Sequence, residues 1–239
     1  MYRKKTMMAL VVVMLIFIAA CGVYAADWQW PDKMSIAGFN VTGIRGSVRP
    51  DGSGSASGSL AIQGMGSQNV SLTRSASGDV TGSVSLNGSA SGTDVQGNFT
   101  LNSRGLEGRG SIQCSPKPIT DASMSVNSNG RVSGNGRVSL GSLAIPAEFA
   151  ISGGSFDVNG TASVQKQQDT PLAVYAFNGT LKLQGSSSRI AVVANGEVKR
   201  TGKLANQVSS TTVSNLQVNA SDGQATVNVG GVSVTFKFF

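Results

Sequence analysis

From about residue 36 onward the chain alternates between apolar and polar positions with period two, segment after segment. Val80-x-Gly82-x-Val84-x-Leu86 is followed by Val95-x-Gly97-x-Phe99-x-Leu101 and Leu106-x-Gly108-x-Gly110-x-Ile112. Ala56-x-Gly58-x-Leu60-x-Ile62 precedes them. Val132 to Leu140, Phe156 to Val164, Phe177 to Leu183, Val192 to Val198 and Val232 to Phe238 continue the pattern. The opposite phase is Ser, Thr and Asn, as in Thr81, Ser83, Ser85 and Asn87. Successive side chains of a strand point to opposite faces, so each segment predicts a strand with one aliphatic and one hydroxyl/amide face. An antiparallel sheet with one dry side carries this signature. Mid-strand aliphatics recur every 12 to 15 residues from Leu60 to Val164. That interval fits a strand of about ten residues, roughly 33 Å long, plus a tight turn. The prediction is an all-β antiparallel meander of about 13–15 short strands.

Glycines fall on the aliphatic face of these strands, at Gly82, Gly97, Gly108, Gly110, Gly134, Gly136 and Gly179. Glycine inside a strand weakens it and marks a bend or a close approach. Repeated in neighbouring strands, it predicts a sheet that curls sharply around its dry side, as a half-pipe or as a flattened barrel or sandwich. Asp51-Gly52, Asn87-Gly88 and Asn129-Gly130 are turn-type dipeptides; Asn195-Gly196 reads as a turn or as a strand interior. Ser115-Pro116-Lys117-Pro118 reads as a loop within one domain, Gln165 to Pro171 as a second polar loop, and Lys199 to Ser210 as room for one short helix. Pro146 interrupts a strand and places it at an edge or a bulge.

The first residues change character. Arg3, Lys4 and Lys5 precede an apolar run from Met7 to Ala20 that is too short to span a bilayer comfortably. Residues 1–25 therefore predict a helical signal peptide, and 26–239 a single exported all-β domain. Two cleavage sites compete. Ile18-Ala19-Ala20-Cys21 resembles a lipoprotein box, with cleavage before Cys21 and a lipid anchor on its sulfur; Val23-Tyr24-Ala25 is a small-x-small site that releases a chain starting at Ala26. The expected localisation is the periplasm or the outer membrane, with membrane attachment through Cys21 on the first alternative. Trp28-Gln29-Trp30-Pro31 reads as an interfacial foot or, preferably, as a lead-in that packs on the sheet edge.

Charge and chemistry narrow the function further. The formal net charge is +7, but three of the basic residues belong to the leader, leaving 16 basic against 12 acidic residues in the mature chain. They are scattered rather than clustered with stacking aromatics, which argues against a nucleic-acid partner. Charged residues are only 13% of the chain, about half the usual share, which argues against ordinary disorder. The sequence has no histidine, so Ser-His-Asp machinery and histidine metal sites are excluded as usually built. The three glutamates, Glu107, Glu148 and Glu197, fall on different strands without a shared motif. Neither an enzyme activity nor a cofactor or metal is predicted. Cys114 has no partner once Cys21 is removed or lipidated, and reads as a buried small hydrophobe. Lys199, Arg200 and Lys203 read as anionic-headgroup contacts or as a solvated loop.

The repeated Φ-x-Gly-x-Φ-x-Φ strands behind a signal sequence resemble, in texture over residues 54–198, the bacterial envelope β-taco proteins of the AsmA-like and lipopolysaccharide-bridge families. The resemblance implies a half-pipe groove that carries acyl chains, lined here by Leu60, Val84, Phe99, Val138 and Leu181. Periodicity alone fits a closed core through the same residues equally well. Three functions stand open: a lipid-binding envelope protein, a surface structural or adhesive module working through its polar face, and an outer-membrane barrel. The lipid reading predicts an elongated apolar cavity, and a solid, fully packed core would sink it. The barrel reading rests on the alternating Val232, Val234, Phe236 and Phe238 near the C-terminus, and is weakened by an aromatic content of 6% where barrels carry aromatic girdles.

Overall fold

A computed structural model describes residues 28–186, 188–204 and 207–239. Sixteen strands follow one another. They are β1 (Lys33–Ile36), β2 (Phe39–Val48), β3 (Gly54–Ile62), β4 (Gly66–Arg74), β5 (Val80–Ala90), β6 (Thr93–Asn102), β7 (Gly105–Gln113) and β8 (Ile119–Val126). Then come β9 (Val132–Leu140), β10 (Leu143–Ser152), β11 (Ser155–Asp169), β12 (Ala173–Ser186), β13 (Arg189–Gly202), β14 (Val208–Val218), β15 (Gln224–Val229) and β16 (Val232–Lys237). The first fourteen form one sheet in sequence order, every neighbour antiparallel, and β15–β16 form a separate two-stranded sheet. The all-β meander expected from the alternation is thus observed as a strongly curled half-barrel.

The curl has a steric cause in the on-face glycines. Gly97 and Gly110 sit directly opposite each other on β6 and β7, and a Cβ at Gly110 would lie 1.8 Å from the Gln96 carbonyl oxygen. Gly179 and Gly196 make the same pairing on β12 and β13, where a Cβ at Gly179 would lie 2.1 Å from the Asn195 oxygen. Adjacent backbones have closed into the volume that side chains would occupy, and this happens only on the dry side. That asymmetry bends the sheet toward its aliphatic face.

The curled sheet also meets itself. The β3–β4 turn donates from Gln63 N to Ser128 O in the β8–β9 turn, at 3.4 Å. Gly154 N, in the β10–β11 turn, donates to Ser91 Oγ in the β5–β6 turn at 3.0 Å. Ser115 N donates to Ser188 O and Ile190 N returns to Ser115 O. In a meander, odd and even turns lie on opposite margins. One margin of the early strands therefore docks on the other margin of the later ones. Thr93, a fully buried polar side chain at this seam, is satisfied by Ser188 Oγ at 2.6 Å.

Three local expectations are corrected and a fourth is met. Asn87-Gly88 is not a turn but the interior of β5, paired with Gln96 and Val95. Gly88 leaves room there for Met65, whose Cβ lies 3.1 Å from where its own would stand. The turn falls instead at Ser91-Gly92, where both φ angles are positive, as a two-residue type I′ hairpin requires. Gln165 to Asp169 are not loop, because they extend β11 against Val174–Asn178 of β12; the backbone ladder holds them where burial does not. Lys199 to Ser210 holds no helix among its described residues, since β13 runs to Gly202 and β14 starts at Val208. Pro146 does make a local edge: β10 pairs with β9 throughout, but its ladder with β11 ends at Glu148–Asn159. Beyond that pair the sheet forks.

Candidate functional site

The dry faces of the strands converge on one interior. Leu60, Val84, Phe99, Val138 and Leu181, from β3, β5, β6, β9 and β12, are all between 0% and 3% exposed and belong to one continuous apolar cluster. The alternation thus found the interior correctly. As the chain stands, that interior is filled by its own side chains. Surface depressions of about 460 to 700 Å³ exist, but none of the five we delineate touches any of these residues. Two of them, over β7–β11 on the polar face, share Asn135, Gly136 and Arg137.

Part of the filling comes from the C-terminal hairpin. Val227, Val229, Val234, Phe236 and Phe238 turn inward and are 1% to 7% exposed. Phe238 meets Phe177 of β12 edge-on, with ring centroids 5.0 Å apart and planes at 89°, and Phe236 lies 6.1 Å from the same ring. The Phe177–Phe238 pair uses the preferred edge-to-face geometry of aromatic rings. The hairpin makes no ladder with the half-barrel. Among the described residues its backbone bonds to the rest of the chain run only to Asn219 and Gly223, as in Phe238 N to Gly223 O at 2.8 Å. It packs beside β11, and Phe239 lies against the β9–β10 turn at Gly141. The cover therefore lies at the fork between β10 and β11, packed on the half-barrel by side chains and without a backbone ladder to it. Alternation marked these residues as a strand, but nothing in a period-two pattern says which sheet a strand joins.

The remaining candidates distribute as follows. Cys21 and the signal segment lie outside the described residues. Trp30 is half-buried on the β1–β2 edge and donates from its indole nitrogen to Ser47 O at 3.1 Å, while Arg74 lies over the Trp28 ring at 4.4 Å. The two tryptophans thus pack on the sheet margin, as the preferred reading has it. Glu107, Glu148 and Glu197 are exposed on β7, β10 and β13. Successive members are three strands apart, about 14 Å along the sheet, beyond the spacings of paired glycosidase carboxylates. Among the described residues no cluster of three or more potential metal ligands occurs, and no helix is long and apolar enough to cross a membrane. Lys199 and Arg200 stand on β13, and Lys203 pairs with Asp169. Cys114 is a free, half-buried thiol. It donates to Lys117 O at 3.2 Å, and burial pushes its pKa from 9.0 up to about 11, which makes it unreactive rather than nucleophilic.

These features define a class: an antiparallel half-barrel with an aliphatic interior, a Ser/Thr/Asn exterior and a separate two-stranded hairpin at the end of the chain. No family model, curated protein or solved structure matches the chain.

Proposed function

We propose that this is an exported, non-enzymatic cell-envelope protein that takes lipid acyl chains into the interior of its half-barrel, with the β15–β16 hairpin as the cover they displace. One observation carries the reading. The aliphatic face runs unbroken across the strands, yet the part beneath the hairpin is covered by a segment that shares no hydrogen-bond ladder with it. A fully paired strand would leave only with its ladder, whereas a hairpin held by apolar contacts is exchanged for another apolar occupant at little net loss of burial. Apolar side chains on both sides of the exchange make an acyl chain the natural substitute. Cys21, on the lipoprotein alternative, would tether the domain at a membrane surface.

A second reading is favoured by the filled interior: a structural or adhesive surface module that works through the polar face and keeps its core permanently closed. An outer-membrane barrel ranks third. It would need the aliphatic face turned outward to lipid, and β1 joined to β14.

Native mass spectrometry on the full chain carrying Cys21→Ala, secreted to a bacterial periplasm and purified without detergent, separates them. The expected result is soluble protein with copurified phospholipid or glycolipid mass. Soluble protein without lipid overturns the acyl-chain reading and gives the structural module the lead.

A further inference from the structure

The two margins of the fourteen-stranded sheet are built in opposite ways. The β1 margin carries the devices that keep a strand edge from pairing. β1 has only four residues, it begins with Lys33 just after Pro31, and a register shift between Thr42 and Arg45 bends β2 behind it. Gly43 takes φ +61° at that bulge, and the Trp30 indole occupies the Ser47 carbonyl farther along. The β14 margin has almost none of this. β14 runs eleven residues, Val208–Val218, and contains no charged residue and no proline. Its irregularity, at Asn215 opposite the shift between Ala194 and Gly196, comes near its end. From Val208 to Val213 it pairs regularly with β13 on one side and, among the described residues, with no strand on the other. Three of the four large apolar side chains exposed among the described residues lie at this end of the sheet: Val208 begins the strand, Leu204 is in the β13–β14 turn and Leu172 is in the β11–β12 turn. Lys203 N bonded to Leu172 O at 3.0 Å brings their two turns together.

We propose that β14 is a homodimerisation edge, on which a second copy of this chain pairs antiparallel through Ser209–Val213. Unpaired backbone donors and acceptors on a long, unprotected edge are a template for another strand. The occupant follows from charge and closure. An uncharged strand meets its own copy without like-charge repulsion, which penalises most self-pairings. Pairing β14 with β1 of a neighbour would build an open chain, but that edge is blocked. Pairing like edge with like edge closes after two copies, as an isologous interface does. A twofold axis normal to the sheet sets residues of one face against each other. Centred on Thr211, it places Ser210 opposite Thr212 of the second copy, a favourable hydroxyl pair. The same register sets Val208 of each copy opposite Ser214 of the other, so the exposed valine at the strand start meets an uncharged neighbour.

The test is sedimentation of the full chain carrying Cys21→Ala, in detergent-free buffer over a range of concentrations. The expected result is a concentration-dependent doubling of mass. Ser210→Lys, an exposed substitution next to the axis, should leave the circular dichroism and melting temperature unchanged while weakening the dimer by about tenfold or more. Ser210→Glu should do the same, and an equimolar mixture of the Lys and Glu variants should regain the doubled mass. A wild-type chain that stays monomeric overturns the proposal. So does a dimer indifferent to Ser210→Lys, or a Lys/Glu mixture that fails to recover.

Discussion

At the scale of single residues, the molecule depends most on side chains it lacks. Gly110 has the Gln96 carbonyl oxygen where its Cβ would be, and the obstacle is backbone rather than the movable end of a side chain. Gly110→Ala should therefore cost about 3 kcal/mol, in the range of overpacked cores and strained backbones, read as a lowered denaturation midpoint with an unchanged m-value. Alanine at Gly153, in a turn with open space around it, should cost only about 1 kcal/mol for its positive φ. Equal losses at the two positions would mean that the glycines do not set the curl. Cys114 gives a second handle. Its thiol is pushed from 9.0 up to about 11 by burial. The unfolded chain releases this proton near pH 9 and the folded chain keeps it, so the contribution to stability is complete below pH 9. It is lost as pH rises from 9 to 11. Cys114→Ala should flatten that part of the stability–pH curve relative to wild type. Parallel curves for the two proteins would refute the assignment.

At the scale of elements, the hairpin is where local pattern and tertiary role part company. Val232, Val234 and Phe236 alternate like any other strand of this chain, and the same residues read equally well as the closing strand of a barrel. What decides against sheet membership is three-dimensional: an aromatic cluster with Phe177, 55 residues or more away in sequence, and a fork that Pro146 only hinted at. The strands themselves, the dry face and the curl were legible because each is written in consecutive residues or in a repeated glycine position. Fine punctuation was less so. Asn87-Gly88 carries turn chemistry inside a strand because a distant turn, at Met65, crosses over it. The hairpin's docking can be fixed covalently. A Cβ at Gly141 would stand 3.5 Å from that of Phe239, within disulfide reach. In a Cys114→Ala, Cys21→Ala background, Gly141→Cys with Phe239→Cys should form a disulfide on oxidation. If the hairpin is the cover, the oxidised protein should lose lipid uptake and regain it on reduction, measured on the same sample. Equal uptake in both states would leave acyl binding intact and remove the hairpin from it. Failure to oxidise would deny the docking itself.

At the scale of the whole molecule, a meander of neighbours gives every strand a ladder on each side except at a few places, and those places order its motions. The ladder is continuous from β2 to β10 and from β11 to β14. It is short between β10 and β11, where five residue pairs do the work of the nine that join β10 to β9, and equally short between β4 and β5. One side of β11 beyond Asn159 is therefore unpaired, and the hairpin that covers the gap contributes apolar contact without backbone bonds. Local opening is drawn from segments with few shared hydrogen bonds, so the half-barrel should open at this fork before it opens among β5–β9, whose ladders are longer. Hydrogen exchange provides the map. Amides of β15–β16 and alternate amides of β11 from Gly160 to Asp169 should exchange at least about tenfold faster than those of β5–β9, a difference that subglobal opening readily produces. The β14 amides that face away from β13 should slow as concentration rises, if copies pair there. Uniform protection across β11 and the hairpin would mean that the cover moves only when the whole sheet unfolds. The interior would then be a core, and the polar face would be left to carry the function.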